Sequence, residues 1–316
     1  MCGSLRRPTM KPSGEQPDIP PGWSKPEQTG DATPTQSQKA GQDDPLRDAS
    51  RGERIQKVLA AAGVASRRAC EGLIEERAIR VNGRLIESLP VWVDPINDRI
   101  TVHGKAVKTN APKVHVLLFK PRGVVCTAED PQQRRRAIDL VDHPSKVRLF
   151  SVGRLDMDSS GLLLLTNDGE LSHLLTHPSH HVKRVYDVTV DGEVPDRVID
   201  RLARGINLPD DRTGRPRPAS FDSIRILEAH RDRTRFEVVL HEGRNRQVRR
   251  MFKAMEHPVR RLRRTALGPL SLSGLRPGQW RELTEAEVQR LRDSATTRPR
   301  KKRGGKKRPS RPSKDK

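Results

Sequence analysis

The feature that most constrains the fold is a short apolar run, Leu162 to Leu165, which follows an acidic turn in the segment GRLDMDSSGLLLLTNDG. Consecutive apolar residues bounded by glycine and polar residues predict a buried strand. The run is far shorter than the roughly 18 residues of a membrane span. Asp156 therefore lies at the edge of a buried strand, where a charged carboxylate needs a cationic partner.

The segment HEGRNRQVRRMFKAME offers such a partner. Its apolar residues recur at helical spacing and predict a helix with one packing face, formed by Val248, Met251, Phe252 and Met255. Its basic residues repeat that spacing on the other face, at Arg246, Arg249, Arg250 and Lys253. Because Arg249 adjoins the apolar face, we predict that its guanidinium turns inward and pairs with Asp156. A solvent-exposed cationic helix face is the alternative.

Further upstream, the segment RIQKVLAAAGVASRRACEGLIEER predicts two helices, with Gly63 ending the first and Ser66 capping the second. Arg67 and Arg68 come directly after the cap, where the helix dipole disfavours cations, so a bound phosphate explains them better than stability does. Asn82-Gly83 then predicts a hairpin within IRVNGRLI.

This order of elements, with DRITVHGK after it, resembles the S4 RNA-binding domain. The resemblance implies that Arg67, Arg68 and Arg80 contact RNA. The chain departs from the family at Arg77 and Ala78, close to where a glycine is usual before the RVNG-like strand, so the turn there is expected to be tighter or shifted. A generic helical hairpin with surface arginines is the alternative.

Charge supports a polyanionic partner. The 316 residues include 62 Lys and Arg against 40 Asp and Glu, a net charge of +22, which favours nucleic acid. A cationic but merely solvated surface and a nonspecific DNA-compacting protein are the alternatives. Five Phe, three Trp and a single Tyr, Tyr186, are too few for a sheet that stacks successive bases.

Composition also predicts the domain limits. Residues 1–50 are rich in proline and polar residues, and residues 293–316 are strongly basic, so neither buries enough apolar surface to fold. We predict a disordered arm over 1–50, an S4 domain over 51–110, a link near Ala111, a catalytic domain over 112–292 and a disordered basic tail over 293–316.

Four segments in a fixed order resemble the RsuA/RluB family of ribosomal-RNA pseudouridine synthases: KPRGVV, GRLDMDSSGLLLLTNDG, VKRVYDVTV and EGRNRQVRRMF. The resemblance runs from about Arg51 to Leu291. It implies an α+β fold, in which a small α/β S4 domain precedes a domain with a mostly antiparallel mixed sheet and a central cleft. The chain departs from the family mildly, with Ser159 where Thr is common and Phe119 where Asn is frequent.

The resemblance also implies roles for individual residues. Asp156 would be the catalytic carboxylate, Tyr186 would line the pocket against the target base, and Arg249 would keep Asp156 charged. Further contacts to RNA are expected from Lys120, Arg154, Arg244, Arg246 and Arg250. The reaction, an isomerisation of uridine to pseudouridine, gains and loses no atom, so neither a cofactor nor a metal is expected.

The expected partner is ribosomal RNA, with 23S RNA in a precursor ribosomal subunit favoured. Three dispersed cysteines and the lack of an apolar secretory segment indicate a protein of the reducing cytoplasm without disulfides. We also expect a monomer without membrane contact. The alternative function is that of an S4-type RNA-binding or ribosome-assembly protein without catalysis.

Overall fold

The computed structural model describes residues 44–210 and 213–296. The chain divides into two compact units, residues 1–113 and 114–316. The greater part of the predicted arm, up to residue 43, and the basic tail from residue 297 lie outside the described residues. The domain limits given by composition stay a prediction. No helix within the described ranges is both long and apolar enough to cross a membrane.

The first unit packs two helices against short strands. Its elements are two 3-10 turns (Pro45–Arg47 and Ala49–Arg51), β1 (Glu53–Arg54), α1 (Ile55–Ala61), α2 (Arg67–Glu75), β2 (Ile79–Val81), β3 (Arg84–Leu85), β4 (Trp92–Val93), β5 (Ile100–Val102) and β6 (Lys105–Ala106). Strands β3, β2, β5 and β6 form an antiparallel sheet in that order, and β1 pairs with β4. Fully buried Ile55, Leu59, Leu73 and Ile79 belong to the core between helices and sheet.

The local signals of this unit form as predicted. The Ser66 hydroxyl accepts a hydrogen bond from the Ala69 amide at 3.1 Å and caps α2. Asn82 and Gly83 both take positive φ, as a tight hairpin requires. Arg77 itself adopts the left-handed conformation, with φ of 57°, and pairs with Glu87. A glycine is therefore dispensable at this turn, because Arg77 accepts the strained backbone angle.

The second unit is built on a nine-stranded sheet. Its elements are β7 (His115–Lys120), β8 (Phe150–Ser151), β9 (Ser160–Thr166), α3 (Gly169–Thr176), β10 (Arg184–Asp191), α4 (Asp196–Arg204), β11 (Ile206–Pro209), β12 (Pro216–Ala219), β13 (Ser223–His230), β14 (Arg233–Leu240), α5 (Gln247–Lys253), β15 (Val259–Leu267), β16 (Leu270–Ser271), β17 (Trp280–Glu282) and α6 (Glu285–Thr296), with 3-10 turns at Ala137–Leu140 and Pro178–His180. Strands β11 and β12 form a separate hairpin.

The strand order of the large sheet is β13-β14-β10-β15-β9-β7-β17, with β8 on β9 and β16 on β15. Every pair is antiparallel except β15 with β9, so the predicted α+β class with a mostly antiparallel mixed sheet is confirmed. Strand β9 is buried on both faces: Leu162 and Leu164 belong to one core cluster, and Leu163 and Leu165 to another. The apolar run is continuous because neither face meets water.

Helix α6 is anchored by Glu287, which yields a testable pH dependence. The hydrogen bond from Arg281 lowers the pKa of Glu287 to about 2, against the opposing effect of partial burial. A lowered folded-state pKa stabilises the fold above the ordinary value of 4.5, and this stabilisation is lost as the pH falls from there toward about 2.

We expect Glu287→Gln to lower the free energy of unfolding by about 1 kcal/mol at neutral pH. The difference in unfolding free energy between this variant and the unmodified chain should narrow toward about pH 3. Urea unfolding at a series of pH values measures this gap. Glu285→Gln is the control, since Glu285 lies exposed in the same first turn. A gap that stays constant with pH would contradict the assignment.

Candidate active site

Asp156 lies in the tight turn between β8 and β9, at the mouth of the buried strand. The Ser159 amide donates to the Asp156 carbonyl at 3.0 Å and closes the turn. The Gly123 amide, which follows β7, donates to the Met157 carbonyl at 2.8 Å and holds the turn from the side. The Asp156 side chain keeps 31% of its surface exposed. A rigid backbone therefore presents a carboxylate that a substrate can still reach.

This carboxylate faces a cavity of about 560 Å³. The β8–β9 turn supplies Asp156, strand β10 supplies Tyr186, and the segment between β14 and α5 supplies much of the rest of the wall. Because β10 lies two strands away from β9, with β15 between them, the sheet itself brings Asp156 and Tyr186 to one cavity. The predicted cleft with these two residues in its wall is present.

The cation that reaches Asp156 is Arg246. Its Nη1 lies 3.3 Å from Oδ2 of Asp156, and its Nη2 lies 3.1 Å from Oδ2 of Asp158. The predicted direct pairing of Arg249 with Asp156 is wrong, because Arg249 pairs with Asp158 instead. Its Nη2 lies 3.3 Å from Oδ1 of Asp158 and also donates to the Asp158 carbonyl and the Ser159 hydroxyl.

The difference has a backbone cause. Arg246 precedes α5 in the left-handed conformation, with φ of 44° and ψ of 31°, so the helical repeat that relates the arginines does not extend to it. Arg249 lies within the helix, and its side chain is only 12% exposed. It reaches the base of the acidic turn, whereas Arg246 reaches the carboxylates from the cavity side.

Asp158 is a site residue that the sequence reasoning missed. Burial raises the pKa of Asp158, but the hydrogen bond from Arg246 and the charges of Arg249 and Arg246 outweigh burial, so the pKa lies below its ordinary value. Asp158 thus stays ionised and holds both guanidinium groups at the turn. Its spacing, two residues after Asp156 in LDMD, is the signal from which it was predictable.

Comparison with known proteins shows the family to which the chain belongs. A family model described as RNA pseudouridylate synthase matches residues 114–254, and one described as the S4 domain matches residues 53–89. The ribosomal large subunit pseudouridine synthase B of Bacillus subtilis is 44% identical over 240 residues, which cover 76% of this chain and 96% of the relative. The chain belongs to the RNA pseudouridylate synthase family. The family predicted from the four segments is confirmed.

Two further members of the pseudouridine synthase family show the same relation. An uncharacterised RNA pseudouridine synthase of Mycobacterium tuberculosis is 44% identical over 245 residues, covering 76% of this chain and 93% of the relative. A crystal structure of a pseudouridylate synthase is 31% identical and superposes with a TM-score of 0.54, covering 75% of this chain and 99% of that one. We therefore call residues 1–113 the S4 unit and residues 114–316 the synthase unit.

One predicted RNA contact of the synthase unit is overturned. Lys120 is completely buried, and its ammonium donates to the carbonyls of Ser159 at 2.7 Å and Pro121 at 3.0 Å. Burial lowers the pKa of Lys120, while the nearby Cys126, Asp156 and Asp158 groups oppose that shift. Because Lys120 ends β7 directly beneath the acidic turn, it braces that turn from below and has no surface to offer a phosphate.

The other predicted RNA contacts fall in three places. Arg154, Arg244 and Arg246 line the cavity, and Arg244 is also paired with Glu242 at 3.0 Å. Arg250 turns away to the hairpin of β11 and β12 and donates to the Pro209 carbonyl. The remaining three contacts belong to the S4 unit, where they are exposed: Arg67, Arg68 and Arg80.

Sequence reasoning also missed three arginines of the cavity wall: Arg184, Arg217 and Arg264. Arg217 lies on β12, in a polar and proline-rich segment that gave no specific signal. Arg184 and Arg264 lie on the central strands β10 and β15. An arginine that shares the inward face of a strand with leucine, as Arg264 does with Leu262, is the signal that was available.

Proposed function

We propose that this chain isomerises uridine to pseudouridine in ribosomal RNA, with Asp156 as the catalytic carboxylate. The observation that carries the proposal is that Asp156 and Tyr186 line one cavity, with Arg246 held against the carboxylate. The side chain of Arg246 is 44% exposed and that of Asp156 is 31% exposed, so their ion pair leaves the carboxylate within reach of a substrate.

The chemistry matches these residue types. The bond between C1′ and N1 breaks, the uracil turns, and C1′ bonds to C5. A proton acceptor then removes the proton from C5, and N1 takes up a proton in its place. Asp156 either attacks the sugar carbon or deprotonates the sugar, and both routes require an ionised carboxylate. Tyr186 offers a ring for the uracil to rest on and a hydroxyl that relays the C5 proton. Neither step calls for a cofactor or a metal.

The cavity and its charges suit an extruded nucleotide. Its volume of about 560 Å³ falls within the range of small-ligand sites. Extrusion of a base from a stack costs a few kcal/mol, which contacts to the RNA backbone must offset. Exposed Arg154 and Arg246 at the cavity, and Arg67, Arg68 and Arg80 of the S4 unit, supply positive charge for such contacts. Arg249 acts as a positioning residue, since it holds the turn through Asp158 and Ser159.

We propose 23S RNA within a precursor of the large subunit as the substrate, because the Bacillus subtilis relative carries a large-subunit name. The chain then acts as a monomer in the cytoplasm, where that precursor is assembled. Cys70 and Cys126 form no disulfide, which suits a reducing compartment.

An assay on both ribosomal RNAs tests this proposal. The purified full chain is incubated separately with unmodified 16S and 23S transcripts, and pseudouridines are mapped by chemical labelling and primer extension. We expect new pseudouridine in 23S RNA alone. Modification of 16S RNA instead would overturn the choice of subunit. Binding of RNA with no pseudouridine in either transcript, or in precursor particles, would favour a non-catalytic RNA-binding protein.

A further inference from the structure

Two arginines of the cavity wall, Arg184 and Arg264, have no carboxylate partner among the residues that the structure describes. Arg264 of β15 is paired in register with Tyr186 of β10, so both residues share the face of the sheet that lines the cavity. Arg264 is only 3% exposed. Its Nε donates to the Leu162 carbonyl at 2.8 Å, whereas its Nη2 is buried and has no hydrogen-bond partner in the described part of the chain. One hydrogen bond therefore holds the Arg264 guanidinium in place, and its Nη2 is available to donate to a ligand.

Arg184, at the start of β10, lines the same cavity. Its Nη1 donates to the His241 carbonyl at 3.0 Å and the Val182 carbonyl at 3.2 Å, and its Nη2 donates to the Leu175 carbonyl at 3.3 Å. All three acceptors are neutral. Burial lowers the pKa of Arg184; the Tyr186 hydroxyl opposes this shift, and the positive charge of Arg264 adds to it. We call Arg184 and Arg264 the arginine floor.

The neighbouring strand positions show how unusual this arrangement is. Arg263, next to Arg264 but on the opposite face of the sheet, pairs with Asp187 at 2.6 Å, and Arg235 pairs with the same carboxylate at 2.8 Å. Within residues 44–210 and 213–296, no carboxylate lies in ion-pair contact with either arginine of the floor. Arg264 is buried and Arg184 is partly buried. A buried cation without a counter-charge destabilises a fold, and such groups concentrate at functional sites.

We propose that the arginine floor is an anion-binding site which takes an oxygen of the extruded nucleotide. The proposal rests on the proposed function and adds a site to it. The entering oxygen would satisfy the free donors of Arg264 and supply the counter-charge that the floor lacks. Arg246 and Arg249 contact the acidic turn of Asp156 and Asp158, so the floor is a second cationic group, formed by different strands.

Two oxygens of one nucleotide have the required chemistry. One belongs to the phosphate on the 5′ side of the target uridine. The other is a uracil carbonyl oxygen: when the bond between C1′ and N1 breaks, its electron pair stays on the base and is shared by O2 and O4, until C5 uses a pair to bond with C1′. Binding of the phosphate would help from the start, whereas binding of the base oxygen would act as charge develops.

The experiment combines protein variants with modified RNA. Arg264→Gln and Arg264→Lys are compared with Arg263→Gln, the matched control from the same strand. Single-turnover rates and RNA affinity are measured on a short RNA that carries the mapped uridine. We expect Arg264→Gln to slow turnover about 100-fold, as the loss of one donor to a developing anion does elsewhere. Arg264→Lys should recover part of the rate, and Arg263→Gln should change the rate less than about threefold.

Two RNA arms distinguish the oxygens. One RNA carries a neutral methylphosphonate 5′ to the target, and another carries 2- or 4-thiouridine as the target. If the floor binds the phosphate, the methylphosphonate slows turnover by the unmodified chain but does not slow the Arg264→Gln variant any further. If the floor binds the base, the thio substitution slows the unmodified chain and has no further effect on Arg264→Gln. Additive effects in both arms, or full activity of Arg264→Gln, would overturn the proposal.

Failure of the floor and failure of the proposed function remain distinguishable. Calorimetry of uridine monophosphate against uridine and uracil reads the floor without turnover, and Arg264→Gln should weaken binding of the anionic ligand. If Arg264→Gln binds uridine monophosphate as tightly as the unmodified chain does, and the unmodified chain is inactive, both proposals are overturned. If the unmodified chain is active and Arg264→Gln matches it in both binding and rate, only the arginine floor is overturned. Thermal melting checks that each variant folds. If Arg264→Gln does not fold, Arg184→Lys takes its place in the rate and binding assays.

Discussion

Asp156→Asn is expected to reduce pseudouridine formation at least about 10³-fold while RNA affinity stays within about twofold. The amide keeps the shape of the carboxylate but can neither attack the sugar nor accept its proton. The turn itself should persist, because the hydrogen bond that closes it comes from the backbone of Ser159 to that of Asp156. Single-turnover assays on the mapped RNA measure the rate, and filter binding measures the affinity.

Asp142→Asn is the matched control, since Asp142 is an exposed residue that pairs with Lys146 outside the cavity wall. It should turn over at the rate of the unmodified chain. An Asp156→Asn variant that still forms pseudouridine within about tenfold of that rate would remove Asp156 from the chemistry. Equal losses of rate and affinity would instead point to a role in RNA binding.

Much of the fold was predictable because local signals and burial agreed. Ser66 caps α2 and Asn82-Gly83 makes the hairpin, since each depends only on backbone angles and a neighbouring hydrogen bond. The Leu162–Leu165 run forms the buried strand because nothing polar interrupts it. Such features follow from residues close together in the chain.

The site was predictable in its members but not in its contacts. Arg249 and Arg246 were both named, yet their partners depend on the left-handed backbone at Arg246, which no periodicity reports. Lys120 has the composition of a phosphate contact, but its burial follows from the packing of β7 beside β9. Arg264 faces Tyr186 only through the register of β15 with β10. Side-chain direction at such places is fixed by partners distant in sequence.

Gly161 shows how narrowly the backbone holds this site. It lies opposite Arg264 in the parallel pairing of β9 with β15, two residues after the acidic turn ends, and its φ is +112°. A Cβ at this position would lie 2.2 Å from the carbonyl oxygen and 2.6 Å from the amide nitrogen of Arg264. Both atoms belong to the backbone of a central strand, so no side-chain rotation relieves the clash.

Gly161→Ala is therefore expected to lower the free energy of unfolding by at least about 3 kcal/mol and to abolish most turnover. Two effects add: a backbone angle that L-residues rarely adopt, and the separation of β9 from β15 at the point where Asp156 and Arg264 are both positioned. Urea unfolding followed by circular dichroism measures the stability, and the single-turnover assay measures the activity.

Gly192→Ala separates the two effects. Gly192 also has a positive φ, of 74°, but a Cβ there would meet no atom within 4 Å. Only the strain of the backbone angle is then introduced, so the expected loss is about 1 kcal/mol, with turnover unchanged. If Gly161→Ala costs no more than Gly192→Ala, the two strands can part without harm, and the close contact of β9 with β15 is not what positions the carboxylate beside the arginine floor.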